Sequence, residues 1–318
     1  MPFDRERMKV KAAELAAKGV FIGTSSWKYD GWFGQLYTPG RYEYRGKVAK
    51  TRFERECLTE YAEVFKTVCV DAAYYSFPRR EYLQGLADHV PSDFRFGFKV
   101  TDEITTRKFP NLDRFGLRAG KPNENFLNAD LFATAFLKPC EDIRDKVGVL
   151  VFEFSHFYPT DYEHGRAFVN DLDSFLGKLP KDWPYGIEMR NKHWLREEYF
   201  GCLSRHGVTH VFNSWDAMPP VSEQMALPGS RTNPELVAAR FLLKPGRKYE
   251  DAVKAFQPYD RMQEVNEEAR KAGAAMIVEG ERYEPRGKTF IYVNNRLEGN
   301  ALATIDAMVE HSSLSAEE

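Results

Sequence analysis

Short apolar runs alternate with longer amphipathic stretches along most of the chain. The runs are VFIGT (Val20–Thr24), TVCVDAA (Thr67–Ala73), FRFGFKVT (Phe94–Thr101) and VGVLVFEF (Val147–Phe154). They continue with YGIEMR (Tyr185–Arg190), VTHVFN (Val208–Asn213), VAARFLL (Val237–Leu243) and TFIYVNN (Thr289–Asn295). Their length and bounded ends predict eight buried strands. Helical stretches are expected over Arg52–Lys66, Arg79–His89, Ala129–Lys146, Tyr162–Leu179, His193–His206, Tyr249–Gly273 and Gly299–Glu310. Strand–helix alternation implies a parallel sheet, because parallel strands need a crossover. Eight such units predict the α/β class and a single TIM-type (β/α)8 barrel. The competing open, doubly wound sheet usually has a glycine-rich phosphate turn after its first strand. Here GTSSWKYDGWFG follows the first run and holds no G-x-G-x-x-G.

The segment from Asp4 to Lys18 reads as an extra N-terminal helix ended by Gly19. The expected organisation is an extension over 1–19, the barrel over 20–311 and a frayed tail over 312–318. Insertions at Gly31–Arg45, Asp102–Asn128 and Asp216–Pro234 all follow strands. In a barrel such long loops belong to the C-terminal, catalytic face.

Strand side chains alternate between faces. Phe94, Phe96 and Phe98 are expected to pack on helices, with Gly97, Lys99 and Thr101 pointing inward. The other inward sets are Cys69 and Asp71; Val149, Val151 and Glu153; Gly186, Glu188 and Arg190; Ala238 and Arg240; and Tyr292 and Asn294. Each set is apolar or small early and polar late, as a packed floor below a reactive mouth requires. Asp71, Lys99, Glu153, Glu188, Arg190 and Arg240 carry three acids and three bases. Buried charges are costly unless paired, so they either form a closed ion-pair network or do chemistry. Glu153 and Glu188 end neighbouring strands, so their carboxylates can approach within roughly 5–8 Å. That overlaps both glycosidase geometries. Lys99, Arg190 and Arg240 can clamp an anionic group or neutralise the acids.

Composition narrows the function. The chain has 318 residues, 43% hydrophobic and 29% charged, so a disordered class is excluded. Net charge is −2, from 45 basic and 47 acidic residues, and gives no bulk sign of a nucleic-acid or membrane surface. A local basic patch at Lys47, Lys50, Arg52 and Arg55 leaves nucleic acid as an alternative partner. Charges interrupt the N-terminal region, so neither a signal peptide nor a membrane anchor is expected. Cys57, Cys69, Cys140 and Cys202 form no C-x-x-C pair and read as small buried side chains of a reduced, cytoplasmic protein. None of the seven histidines has tight ligand spacing. Asp71, Glu153, Glu188 and His156 are the nearest approach to a metal set, and no metal is expected. Aromatics follow the strand ends: Trp27, Tyr29, Trp32, Phe33 and Tyr37; Tyr74, Tyr75 and Phe77; Phe154, Phe157 and Tyr158; Trp194; and Trp215. Some cover long loops, and others can wall a pocket for a planar ligand.

The segment IGTSSWKYDGWFG resembles the I-G-T-S-x-W-x-Y-x-x-W opening of the YecE-like family, a domain of unknown function numbered 72. FRFGFKVTDEIT is similar to its F-R-F-x-x-K motif, and VGVLVFEF to its fourth-strand motif, where glutamine usually stands at Glu153. GIEMRNKHW matches E-x-R-x-x-x-W through Glu188, Arg190 and Trp194. Arg240, and Asn294 with Asn295, match the last two motifs. The resemblance runs from about residue 20 to 310 and implies a TIM barrel, but no activity. Asp71 and Leu242 stand where the family has glutamate and histidine. Near Thr105 or Thr106 another family histidine is replaced. The chain thus reads as a divergent member.

The leading expectation is an enzyme, hydrolase- or isomerase-like, acting on a small polar or anionic ligand. Glu188 and Glu153 would share acid/base work beside Lys99, with Arg190 and Arg240 as clamps. Trp27 and Trp194 would pack on the ligand, Asp71 would bind it, and Asn294 would orient it. A metal-dependent nucleic-acid-processing enzyme and a non-catalytic ligand-binding or scaffold barrel are the alternatives. The sequence names no cofactor and no oligomeric state.

Overall fold

The structure is a computed structural model and describes residues 3–282 and 287–315. Eight parallel strands close into a ring: β1 (Val20–Thr24), β2 (Thr67–Val70), β3 (Arg95–Lys99), β4 (Val147–Phe154), β5 (Tyr185–Met189), β6 (Thr209–Ser214), β7 (Leu236–Phe241) and β8 (Lys288–Val293). Each strand pairs in parallel with its neighbours in chain order, and β8 pairs with β1 over five residues. The longer helices are α1 (Arg5–Ala17), α2 (Lys50–Val64), α3 (Arg80–Asp88), α4 (Gly165–Lys178), α5 (Glu197–His206), α6 (Tyr249–Phe256), α7 (Glu267–Glu281) and α8 (Ala301–Ser315). This is the expected TIM-type barrel. Among the described residues no helix is long and apolar enough to cross a membrane.

Three expected elements differ, each for a local reason. Strand β2 stops at Val70, because Asp71 takes helical dihedrals and opens the short turn Ala72–Tyr75. The helix expected over 249–273 is two helices. Pro258 disfavours helix at the residue before it, and Asn266 caps α7 by accepting from the Ala269 amide at 3.1 Å. The helix expected over 129–146 is a chain of short α, π and 3-10 turns. Pro139 falls within it and cannot donate to a regular ladder. Helix α8 runs on to Ser315, into the segment expected to fray; residues 316–318 lie outside the described residues.

The period-two pattern separates two apolar layers. Phe21, Cys69, Val149, Val151, Val211, Leu236, Ala238, Phe290 and Tyr292 fill the barrel interior. Phe94, Phe96, Phe98, Phe152, Ile187 and Phe212 belong to the outer layer under the helices. Gly97 is glycine because the Tyr292 ring crosses the interior into the space a Cβ would fill. All four cysteines are buried free thiols, as expected.

The ring has one thin seam. β1 and β2 share a single register pair, Thr24 with Val68. There the Tyr61 hydroxyl of α2 accepts from the Thr24 amide at 3.0 Å and donates to the Thr67 carbonyl at 2.9 Å. A side chain thus stands in for a ladder bond. Tyr61→Phe leaves a buried amide and a buried carbonyl unpaired, a loss of roughly 1–3 kcal/mol. Urea unfolding should show a lower midpoint with an unchanged slope. A midpoint equal to that of the parent would mean the seam closes without the hydroxyl.

Candidate functional site

The strand ends carry the charges that alternation assigns to the interior. Glu153 on β4 and Glu188 on β5 are register partners. Two carboxylates so placed repel unless cations lie between them. Glu153 Oε2 accepts from Lys99 Nζ at 2.9 Å, Arg190 Nη2 at 2.7 Å and Arg240 Nη1 at 2.8 Å. Glu188 Oε1 accepts from Arg190 Nε at 3.0 Å and Nη2 at 2.8 Å. Glu188 Oε2 accepts from Arg240 Nη1. Arg240 Nη2 reaches Asp71 Oδ1 at 3.2 Å. All six predicted charged residues therefore meet in one layer at the C-terminal ends of β2, β3, β4, β5 and β7.

Five of the six are buried, whereas the Asp71 side chain keeps 32% of its surface exposed. Burial alone would raise the pKa of Glu153, but Arg190, Lys99 and Arg240 outweigh it and hold the carboxyl well below the usual carboxylate range. Burial opposes the charge on Lys99, yet Glu153 and Asp71 raise its pKa. Arg240 is likewise opposed by burial and held charged by Glu188, among others. Glu153 thus accepts three cations and is not poised to share a proton with Glu188. The arrangement is a set of fixed charges, the kind of polar environment that stabilises developing charge without reorganising. It does not suit a metal on Asp71, Glu153 and Glu188, whose oxygens face Lys and Arg donors.

Aromatic rings roof this layer. Lys99 Nζ lies 3.7 Å from the Tyr74 ring centre, and the Arg190 guanidinium lies 3.8 Å from that of Trp215. Tyr74 also lines a cleft of about 460 Å³ between the loops after β2, β3 and β4. Arg107, Lys108, His156 and Tyr158 share its walls. The Thr105 hydroxyl there is buried with no partner. So are Ser25 Oγ, Arg240 Nε and Asn213 Oδ1 at the strand ends.

The remaining predicted residues make other contacts. Asn294 makes a local turn, accepting from the Arg296 amide at 3.0 Å. Trp27 is buried in the β1 loop, where its carbonyl accepts from the Tyr37 hydroxyl. Trp194 stacks on Phe157 at 5.6 Å and Phe168 at 5.5 Å, and lines a separate cavity with His164 and His193. Many of the aromatics that follow β1 form loop core: Trp32, Phe33, Tyr37 and Tyr42 pack ring on ring against Phe53 of α2. The basic patch is partly offset along α2, where Arg52 and Arg55 share Glu56 at 3.0 Å and 2.6 Å. His210 is a core histidine, its Nδ1 3.2 Å from the Tyr199 hydroxyl.

Sequence reasoning missed Asn213 and the cleft residues Arg107 and Lys108. Asn213 was within reach, because Thr209, Val211 and Asn213 repeat the alternation used on the other strands. The cleft residues come from the irregular 102–128 insertion, where no period operates.

A sequence profile described as a protein of unknown function, DUF72, matches residues 21–318. No curated protein matches the chain. A DUF72 family protein from Enterococcus faecalis V583 superposes with a TM-score of 0.61 at 19% identity, covering 92% of this chain and 95% of that one. Another from Thermotoga maritima MSB8 gives 0.57 at 21%, covering 94% and 99%. At such identity these similarities speak to the fold alone. With the profile spanning nearly its whole length, the chain belongs to the DUF72 family of proteins of unknown function.

Proposed function

We propose that the barrel mouth binds a small polar ligand bearing an anionic group and acts on it through fixed charges, in hydrolase- or isomerase-like chemistry. The observation that carries this reading is the buried layer of Lys99, Glu153, Glu188, Arg190 and Arg240, which is separated from the cleft by the Tyr74 ring that covers Lys99 and lines that cleft. Glu153 and Glu188 hold the three cations in place, and those cations supply the electrostatic stabilisation. Asp71 is the carboxylate with room to meet a ligand: it is the most exposed of the three acids, and it reaches Arg240 at 3.2 Å. Lys108 and Arg107 attract the anion, and Thr105 offers it an unused hydroxyl. Four free thiols suit a reduced cytoplasm. The nucleic-acid alternative has less support, because Arg52 and Arg55 of α2 share Glu56 as an ion-pair partner.

The test is a thermal-shift titration with inorganic phosphate and small carboxylates. At least one anion should raise Tm, and Lys108→Ala should weaken its binding about tenfold, the value of one charged hydrogen bond. Asp71→Asn should retain binding. If no anion stabilises the protein, or Lys108→Ala binds as tightly as the parent, the reading fails.

A further inference from the structure

Far from the mouth, a second polar cluster joins α4 to α5. Cys202 and His206 are four residues apart on α5, so they share one helix face. Asp173 of α4 faces both. His206 Nε2 lies 3.0 Å from Asp173 Oδ1, and Cys202 Sγ lies 3.6 Å from the same oxygen. All three potential ligand atoms fall within 4.8 Å of one another. With Zn–N and Zn–O bonds near 2.1 Å and Zn–S near 2.3 Å, a tetrahedral site has edges of about 3.4 Å between nitrogen and oxygen and about 3.6 Å between sulfur and oxygen. The cluster is within a few tenths of an ångström of those edges before any metal draws it in.

We propose that Asp173, Cys202 and His206 form a zinc site with one coordination position left to water. The donor set favours this ion: thiolate, imidazole and carboxylate are its three common protein ligands. The site can be reached from solvent, because Asp173 keeps 44% of its side-chain surface, whereas Cys202 is buried. Binding releases the Cys202 proton to solvent and forms the sulfur–zinc bond. The imidazole binds through Nε2 and carries its proton on Nδ1. All three ligands lie in the C-terminal halves of their helices, which run back toward the N-terminal ends of the strands. Conservation of a TIM barrel's structure, as opposed to its chemistry, belongs to that end. The metal is a staple between two outer helices and takes no part in the mouth's chemistry.

Two cations crowd the site, one on the Asp173 ligand oxygen and one at the other ring nitrogen of His206, which must carry a proton when the metal is bound. Arg205 Nη2 donates to Asp173 Oδ1 at 2.8 Å, and Lys181 Nζ lies 3.3 Å from His206 Nδ1. Both must turn away when the metal binds. Arg205 is 62% exposed and Lys181 is also exposed, so both have solvent to turn into. Removing Lys181 should therefore strengthen binding, an effect that adventitious surface coordination would not show.

The test is a titration of the full, chelator-treated chain with Co2+, followed by competition with Zn2+. One equivalent should produce a thiolate-to-cobalt charge-transfer band that Zn2+ abolishes, and Zn2+ should raise Tm. Cys202→Ser should lose the band. Asp173→Asn and His206→Gln should weaken affinity by at least about tenfold, the effect of losing even an outer-shell partner. Lys181→Ala should tighten it. Asp173 is exposed, so its variant tests the site even if Cys202→Ser unfolds. An absent thiolate band in the parent, or unchanged metal affinity in Asp173→Asn, overturns the proposal.

Discussion

Glu153→Gln is expected to cost roughly 3–5 kcal/mol of unfolding free energy, the usual consequence of removing one partner from a buried ion pair. The carboxylate accepts from Lys99, Arg190 and Arg240 within 2.9 Å, and the amide would leave the six-charge layer with a net charge of +1. Nothing else nearby can replace it, because Glu188 is already engaged by both arginines. The reciprocal change gives the control. Lys99→Met alone leaves the layer at −1, whereas Lys99→Met with Glu153→Gln restores neutrality. The double variant should therefore recover a measurable part of the loss, and urea unfolding of all four proteins gives the coupling directly. Additive single effects would mean that the layer is a set of independent contacts.

The second large effect is on the acid side of stability. His210 is wholly enclosed among Tyr199, Phe200 and Phe212, and burial pushes its pKa down to about 3. In the unfolded chain a histidine takes a proton below about pH 6.5. Between those values the unfolded state binds the extra proton, so the fold loses stability as pH falls. The loss is roughly 1.4 kcal/mol per pH unit for this one group. Stability is at its full value above about pH 6.5. Glu153 acts in the same direction but lower. Its depressed pKa contributes stability above the unfolded value near 4.3 and loses it below. The interval from about pH 5 to 6.5 thus separates the two. His210→Phe keeps an aromatic ring among aromatic neighbours and gives up the polar contacts to Tyr199 and Gln224. Its unfolding free energy should change less steeply across that interval, by about one proton. Parallel pH profiles for parent and variant would falsify the assignment.

What could be read from the sequence followed from periodicity. The inward row at Lys99, Glu153, Glu188 and Arg240 and the outward phenylalanines of β3 rest on the two-residue repeat of a strand, and closure of the ring on the count of eight strand–helix units. That repeat says which face a side chain takes, but not which partner it finds. Glu153 and Glu188 looked like an acid/base pair because adjacent strands bring them close. Their partners, supplied from three other positions along the chain, make Glu153 a fixed anion. Trp27 and Trp194 were placed by their position after strands, but loop residues follow no period. Trp27 is buried in the β1 loop, and Trp194 stacks on Phe157 and Phe168. Asp71 lay beyond the strand pattern too, since its helical dihedrals end β2 early and leave its carboxylate partly open.

The Tyr61 contact gives the barrel a latch. The joint between β1 and β2 has a single register pair, and a hydroxyl carried by α2 reinforces it. Any motion that lifts α2 also unfastens β1 from β2, while β1 stays attached to β8 through five register pairs. The barrel is thus a strip buckled at one point. Wear on it, from heat, protease or a tight-fitting guest at the mouth, should register first at the buckle, as faster amide exchange at Thr24 than on the ladders at the opposite side.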